Sequence, residues 1–482
     1  MKIIVDNVWS YLVYEEGDRK ISKELDDALS VWKKGYYFTT SYRRGLWDGK
    51  IHFFKITTQT FPTGLLSTVK KFLNKNLIDY EIIDKTTKVS FDIAEVKEDM
   101  LKDIVLRDYQ VEAIKKALEK QRGIIFAATN SGKTEIAAAI MKVVKEPALY
   151  FVHRRDLLIQ TADRIEARLN ERVDRIWGSE RESKNRIKVL TIQSAYIGRR
   201  SDLISKMLDE AKIIFLDECH VLASTEWVKV TYDCPAPLRF GLSGTPFTDD
   251  EVKNMSLVAV TGGVICEIRN ISLIEKGYSA KPVVYFHYVA LGDGAGDYYT
   301  DYNAFIVRGL KRNKKICELA KQKLEEDKST MILVKMIEHG YFLQQLFKHE
   351  YDLDVPFIFG GEDLDYRTNI IKDFKENKIK LVIASTIADE GLDISSLKCL
   401  IVAAGGKSKV KVLQRIGRAL RKKMDENVVE IHDFIDDDRR ILYEHSRRRK
   451  RICKSEGFEV EVVEVEEGPK TENTYSTFFS QS

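Results

Sequence analysis

From Ile104 onward, short and strongly apolar β-branched runs alternate with stretches whose apolar residues recur at helical spacing. The first series is GIIFAA at 123–128, ALYFV at 148–152, KVLTI at 188–192, IIFLD at 213–217 and RFGLS at 239–243. A second begins near Pro282 with VVYFHYV. It continues with MILV at 331–334, PFIFG at 356–360, LVIAS at 381–385, CLIVAA at 399–404 and VVEIHDF at 428–434. Strands separated by helices imply right-handed crossovers and parallel sheets, so the pattern predicts two α/β lobes in tandem. A further strand is expected at FEVEVVEVEE, and the end from Gly468 to Ser482 is polar and reads as a flexible tail.

Residues 1–97 follow a different grammar, that of a small mixed α+β domain. Between Trp32 and Lys75 nine cations (Lys33, Lys34, Arg43, Arg44, Lys50, Lys55, Lys70, Lys71 and Lys75) are interrupted by one acid, Asp48. Trp32, Tyr36, Tyr37, Phe38, Tyr42, Trp47, Phe53, Phe54 and Phe61 are interleaved with them. These rings could stack on bases or fill the domain's core; a domain this small needs large apolar side chains, so most are expected in its core. Gly45 and Gly49 around Arg-Gly-Leu-Trp-Asp-Gly suggest a tight strand connection. The domains expected are therefore 1–97, 98–275, 276–467 and a tail at 468–482.

Composition narrows the class. With 482 residues, 44% hydrophobic and 32% charged, the chain can bury sizeable cores, which excludes collagen-like, mucin-like or wholly disordered readings. Lys plus Arg is 78 against 74 acids, a net charge of +4, so local patches rather than the total decide phosphate binding. No apolar run approaches the ~20 residues of a membrane span, and the N-terminus does not resemble a signal peptide; a soluble protein is expected. Cys219, Cys234, Cys266, Cys317, Cys399 and Cys453 are scattered without a Cys-x-x-Cys pair, which fits a reducing cytoplasm and ordinary buried thiols. Nothing resembles a nuclease metal cluster, a zinc array or a nucleophilic triad.

The sharpest chemical signal is Ala-Ala-Thr-Asn-Ser-Gly-Lys-Thr at 127–134, which follows a strand and opens a helix as a phosphate-binding loop must. Backbone N–H groups of Thr129, Asn130, Ser131 and Gly132 would hold the β-phosphate of ATP, Lys133 would neutralise the β- and γ-oxygens, and Thr134 would ligate Mg²⁺. Ala127 and Asn130 stand at positions often held by glycine; Asn tolerates left-handed backbone, so the loop can still close. Downstream, IIFLD-Glu-Cys-His puts Asp217 and Glu218 at a strand's C-terminal end, where open α/β sheets bind ligands. Alone, such an acidic pair would read as solvated surface. Behind a phosphate loop, Asp217 would hold the Mg²⁺ shell and Glu218 would orient and deprotonate the attacking water.

Leu106-Arg-Asp-Tyr-Gln110, the 127–134 loop, Asp217-Glu-Cys-His220 and Ser243-Gly-Thr245 occur in order. Phe359-Gly-Gly, Ala384-Ser-Thr-Ile-Ala-Asp-Glu-Gly-Leu-Asp393 and Gln414-Arg-Ile-Gly-Arg-Ala-Leu-Arg421 follow. This series resembles the motifs of superfamily 2 helicases of the DExH kind, from about residue 104 to 435. The resemblance implies two RecA-like lobes and assigns Gln110 and Arg107 to the adenine and Asp393 to the ribose. Arg418 and Arg421 become arginine fingers for the γ-phosphate, so that lobe closure is needed for hydrolysis. It further implies that His220, Ser243, Thr245 and Gln414 couple nucleotide state to nucleic acid, and that Arg154, Thr191, Gln193, Ser194 and Thr386 hold strand phosphates.

Tyr42-Arg-Arg-Gly-Leu-Trp-Asp-Gly-Lys50, ahead of these motifs, resembles the accessory domain of UvsW-type phage recombination helicases. Arg43, Arg44, Trp47 and Lys50 then become candidate nucleic-acid contacts. Branched DNA (forks, displacement loops, R-loops with their RNA strand, Holliday junctions) becomes the expected substrate, in recombination, repair or replication restart. Arg447-Arg-Arg-Lys-Arg451 reads equally as a duplex grip or as decoration of a last helix. The resulting expectation is an ATP-dependent DNA helicase or branch-migration enzyme moving 3′→5′, acting in the host cytoplasm if phage-encoded. The alternatives are a double-strand translocase without net unwinding, a nucleotide-gated binding or annealing module, and an RNA helicase.

Overall fold

The computed structural model describes residues 1–14, 19–178, 184–221, 225–292, 296–385, 396–407 and 427–463. The chain divides into two compact units, one comprising Met1–Ser279 and the other beginning at Ala280.

The first unit opens with a small sheet. Its strands are β1 (Lys2–Val5), β2 (Trp9–Val13), β5 (Thr60–Pro62) and β6 (Glu81–Asp84), in the order β5-β2-β1-β6. A separate antiparallel ribbon joins β3 (Ser30–Trp32) to β4 (Lys50–His52), with Trp32 opposite Lys50. The connection between them is not the tight one that Gly45 and Gly49 suggest. Residues 33–49 make an excursion containing a 3-10 turn at Tyr36–Phe38 and a short helix at Thr40–Arg43.

The small core gathers Ile3, Val5, Leu12, Leu25, Leu29, Phe54, Phe61, Leu65, Val69 and Leu73. It is completed from outside by Ala259, with Met255 and Val258 packed against it, all on the helix Glu251–Thr261. The approach is close: a Cβ on Gly64 would lie 2.1 Å from the Val258 carbonyl oxygen. Arg122 ties the junction with hydrogen bonds to the carbonyls of Asn7 (3.1 Å), Val260 (3.1 Å) and Thr261 (3.2 Å). This borrowed surface corrects the expectation for the aromatics. Of the nine, Phe54 and Phe61 are buried, whereas Trp32, Tyr37 and Phe38 are exposed.

The large sheet of this unit consists of β7 (Arg122–Ala127), β8 (Ala148–Val152), β9 (Val173–Ile176), β10 (Ile187–Thr191), β11 (Ile213–Asp217), β12 (Leu238–Ser243) and β13 (Val264–Ile268). They run parallel in the order β13-β7-β12-β11-β8-β10-β9. Five of them are the strands the apolar runs predict; β9 and β13 lie at the two edges, and their charged, mixed sequences VDRI and VICEI hide them. Because all strands point one way, the loop after β7, the acidic pair after β11 and Ser243 on β12 emerge at one edge, with β12 between the other two.

The second unit repeats the plan with β14 (Lys281–Ala290), β15 (Thr330–Val334), β16 (Phe357–Ile358), β17 (Leu381–Ser385), β18 (Cys399–Val402), β19 (Val428–Asp437) and β20 (Glu459–Val463). These are parallel in the order β16-β17-β15-β18-β19-β14-β20. Here charge is buried for structure. Arg312 Nε bonds Asp436 at 2.7 Å, and Arg449 meets Asp433 at 2.8 and 2.9 Å. Removing one partner of such a pair would leave a desolvated charge, a loss of about 3–5 kcal/mol. Arg449 belongs to the Arg447–Arg451 run, so that cluster on the helix Arg440–Ser455 is partly an internal anchor.

Candidate nucleotide site and DNA-facing surfaces

The nucleotide loop is shaped by backbone. Asn130 adopts φ 68° and Gly132 φ 80°, both left-handed, after which the helix Lys133–Val144 begins. Asn at 130 thus supplies a conformation usually left to glycine. At 132 a side chain would be strained by the left-handed φ, and its Cβ would lie 2.1 Å from Gln110 Nε2, which would have to move. The Ser131 carbonyl accepts from Gln110 Nε2 at 2.9 Å and from the Tyr109 hydroxyl at 3.1 Å. Gln110 Oε1 meanwhile accepts from the Arg107 N–H at 2.8 Å, capping the helix Asp108–Lys120. The Gln110 amide therefore bonds the loop itself at one end and its own helix cap at the other. Arg107 donates to the Tyr109 hydroxyl (2.8 Å) and lies 4.6 Å over the ring of Tyr278, a residue no motif points to.

At the end of β11 the two carboxylates have different surroundings. Asp217 Oδ1 accepts from the Glu218 N–H at 3.0 Å. Burial, and next the neighbouring Glu218 carboxylate, push the Asp217 pKa up. Burial opposes ionisation of Glu218 as well, but Lys133 and His220 prevail and hold its pKa well below the usual range. Lys133 Nζ lies 3.7 Å from Glu218 Oε1, and His220 Nδ1 lies 3.3 Å from Oε2. Glu218 itself has φ 46°, a left-handed backbone that a non-glycine residue adopts at a cost of about 1–3 kcal/mol and that concentrates at working sites.

Ser243 joins this group. Its hydroxyl meets His220 Nδ1 at 3.0 Å and Glu218 Oε2 at 3.5 Å, and accepts from the Thr245 N–H at 3.1 Å. Gly244 brings this turn against the loop: a Cβ there would lie 3.3 Å from the Ala127 carbonyl oxygen. Cys219 is buried, its sulfur against Gly241 of β12, and burial raises its thiol pKa well above the ordinary value, so it fills space rather than reacts.

Among the described residues, Ser131 Oγ is a buried oxygen at this edge with no hydrogen-bond partner, and the buried Tyr150 hydroxyl has Thr134 and Asp217 for neighbours. Tyr150 stands on β8 with its ring 5.8 Å from Phe215, two residues before Asp217 on the same face of β11; Asp217, Thr134 and Glu218 are the groups its hydroxyl senses. Thr134, Asp217 and the unpartnered Ser131 hydroxyl fit a triphosphate with Mg²⁺. Sequence reasoning passed over Tyr150 because a tyrosine in an apolar strand reads as core. Elsewhere among the described residues, Cys399, Glu430 and His432 are grouped closely enough for a metal. Lys323 and Lys328 lie 3.0 and 2.5 Å from Glu430, which neutralises it and argues against a cation there.

The candidate DNA contacts separate by exposure. Arg43 and Arg44 are exposed, with Arg43 Nε bonded to the Tyr37 carbonyl at 3.0 Å. Lys50 is drawn to Asp27 at 3.0 Å and sits 5.4 Å over Trp32, and the Trp47 indole donates to the Lys50 carbonyl at 2.8 Å, so both brace the excursion. Lys70, Lys71 and Lys75 belong to another element, the helix Leu66–Lys75. Thr191 and Ser194 are buried and bonded to each other at 2.8 Å as a helix cap, while Gln193 beside them is exposed. Arg154 is the extended residue just before the helix Arg155–Leu169, and its side chain makes no capping bond there. Thr386, Asp393, Gln414, Arg418 and Arg421 lie outside the described residues.

Three family matches follow one another along the chain. Residues 5–84 match the N-terminal domain of DNA helicase UvsW, 103–248 the type III restriction enzyme res subunit, and 311–423 the helicase conserved C-terminal domain. The ATP-dependent DNA helicase uvsW of Enterobacteria phage T4 is 27% identical over 442 residues, 86% of each chain. The DNA 3′-5′ translocase XPB2 of Sulfurisphaera tokodaii is 29% identical over 372 residues, 68% of this chain and 81% of the relative. The structure of the type ISP restriction-modification enzyme LlaBIII bound to DNA shares the fold, with a TM-score of 0.59 at 16% identity over 84% of this chain and 35% of that one. No described helix is long and apolar enough to cross a membrane. A phosphate loop, an Asp-Glu-Cys-His element joined to the next motif strand, and a helicase C-terminal segment stand in order behind a segment similar to the UvsW N-terminal domain: along its length the chain is similar to superfamily 2 helicases, and it is an ATP-hydrolysing DNA helicase or translocase.

Proposed function

We propose that this enzyme remodels branched DNA, unwinding or branch-migrating forks, Holliday junctions, displacement loops or R-loops by 3′→5′ movement. Glu218 takes the proton of the attacking water, and Lys133 stabilises the charge that develops on the γ-phosphate. Arg418 and Arg421 are assigned to the same charge by their motif. Thr134 and Asp217 would hold Mg²⁺, which neutralises β- and γ-phosphate oxygens when bound. Asn130, Ser131 and Gly132 cradle phosphates with their N–H groups, and Arg107 with Tyr278 offers the adenine a flat cationic face. Residues 1–97 serve as the accessory domain that meets duplex or junction.

The observation that carries this reading is the chain of contacts Lys133–Glu218–Ser243. The base that senses the γ-phosphate is bonded to the strand leading to Thr245, so nucleotide state changes the hydrogen bonds of the coupling segment. The match of residues 5–84 to the N-terminal domain of DNA helicase UvsW supports DNA as the substrate. The test is ATP-dependent processing of labelled forks, Holliday junctions and R-loops by the wild-type chain and Lys133→Ala. Processing that is lost in Lys133→Ala is expected. ATP turnover without displacement of any strand would favour a translocase that does not unwind, and stimulation by RNA alone would favour an RNA helicase.

A further inference from the structure

The 33–49 excursion carries a second kind of surface besides its cations. Tyr37 is 54%, Phe38 69% and Leu46 77% exposed. These side chains are held outward by an ordered scaffold. The Tyr36 ring packs 4.6 Å from Trp32 and 4.7 Å from Tyr42, with Tyr37 at 5.4 Å. Gly49, at φ 87°, makes room for that support, since a Cβ there would lie 2.7 Å from the Tyr36 ring. The Tyr37 and Phe38 rings sit 4.4 Å apart, and Arg43 holds the Tyr37 carbonyl. Backbone hydrogen bonds from Phe38 to Gly35, Arg44 to Thr40 and Leu46 to Ser41 complete the turn.

We propose that Tyr37 and Phe38 form a stacking platform for an unpaired DNA base at a branch point, with Lys34, Arg43 and Arg44 holding the flanking phosphates. Charge selects the occupant. The excursion carries Lys33, Lys34, Arg43 and Arg44, and its single acid, Asp48, is bound to His52 at 2.9 Å. Aromatic faces among cations suit single-stranded nucleic acid, because every base has a π-face and every nucleotide a phosphate. A paired base inside a duplex is already stacked on both sides, so the platform distinguishes a branch point from linear duplex. This inference rests on the branched-DNA reading above and specifies how it is achieved.

The test uses the full chain and a fork carrying 2-aminopurine at the branch point, with a blunt duplex of the same arms beside it. The wild-type chain should quench the aminopurine. Tyr37→Ala/Phe38→Ala should abolish the quenching and weaken fork binding by about tenfold, while blunt-duplex binding holds. Tyr37→Trp/Phe38→Trp should retain both signals, which separates stacking from a folding defect. Unchanged quenching in the double-alanine variant would overturn the platform. So would an equal loss on fork and blunt duplex, or a change in oligomeric state with fork binding intact, which would assign the patch to a second copy of the chain. If the wild-type chain binds forks and blunt duplex alike but still quenches single-stranded aminopurine, the platform stands and the branched-DNA reading fails.

Discussion

The nucleotide loop and the 33–49 excursion are both short connections that depend on left-handed residues, Asn130 and Gly132 in one and Gly35, Gly45 and Gly49 in the other. In the first, polar groups are tied to one another: the Ser131 carbonyl takes two donors, the Gln110 amide is held at both ends, and Glu218 is reached by Lys133, His220 and Ser243. In the second, large rings and guanidinium groups face outward on a scaffold of backbone bonds. A site that must fix a phosphate and a water to a fraction of an ångström is built from restraints. A surface that must accept any DNA sequence is built from stacking faces and charges that specify little.

That difference can be broken at its most restrained point first. Gly132→Ala combines a left-handed φ with a Cβ pressed on Gln110, and should lower ATP affinity by tenfold or more, from about 1–3 kcal/mol of strain. Adding Gln110→Ala should recover part of the loss, which nucleotide titration of both variants would measure. Additive losses would mean that Gln110 is not what the side chain meets.

Next come the outward charges. Arg44→Ala should weaken DNA binding and lower the slope of log affinity against log salt by about one. Lys50→Ala should leave that slope unchanged, because Asp27 already holds the ammonium. Equal slopes in the two variants would erase the distinction between exposed and internally bound cations.

The smallest effect concerns pH. Both nitrogens of His52 face carboxylates, Asp26 at 2.8 Å and Asp48 at 2.9 Å. Burial works against its charge, but these bonds prevail and raise its pKa above the ordinary 6.5. A raised folded value means that the clamp contributes fully below the unfolded pKa and is lost as pH rises through the folded one. NMR titration should place the His52 midpoint above 6.5 and Asp48→Asn should lower it; a wild-type midpoint at or below 6.5 contradicts the clamp.

The same contrast explains what could be read in advance. The loop at 127–134 and the pair Asp217-Glu218 were legible because phosphate chemistry dictates residue type and spacing, and the buried strands because burial on both faces demands unbroken apolar runs. The places of Tyr150 beside Thr134 and Asp217 and of Tyr278 under Arg107 were not, since nothing in their sequence neighbours marks a strand tyrosine or a connecting tyrosine for such contacts. The expectation that most of the nine rings lie in the core failed for a definite reason, with Trp32, Tyr37 and Phe38 exposed. The small domain completes its core with Ala259 from the adjoining large-sheet region, so it does not need them inside. Arg449 was hidden because it is one of five consecutive basic residues, and only the folding of its helix back onto the preceding strand β19 brings it to Asp433 and Asp436.

The central claim is that Glu218, strained and held by Lys133, His220 and Ser243, is the base for ATP hydrolysis that drives movement on DNA. Its most direct test is DNA-stimulated ATP turnover by the full chain and by Glu218→Gln, with ATP binding followed in parallel. The account predicts a turnover loss of about 10²–10⁴-fold with binding retained. Wild-type turnover in Glu218→Gln would contradict it.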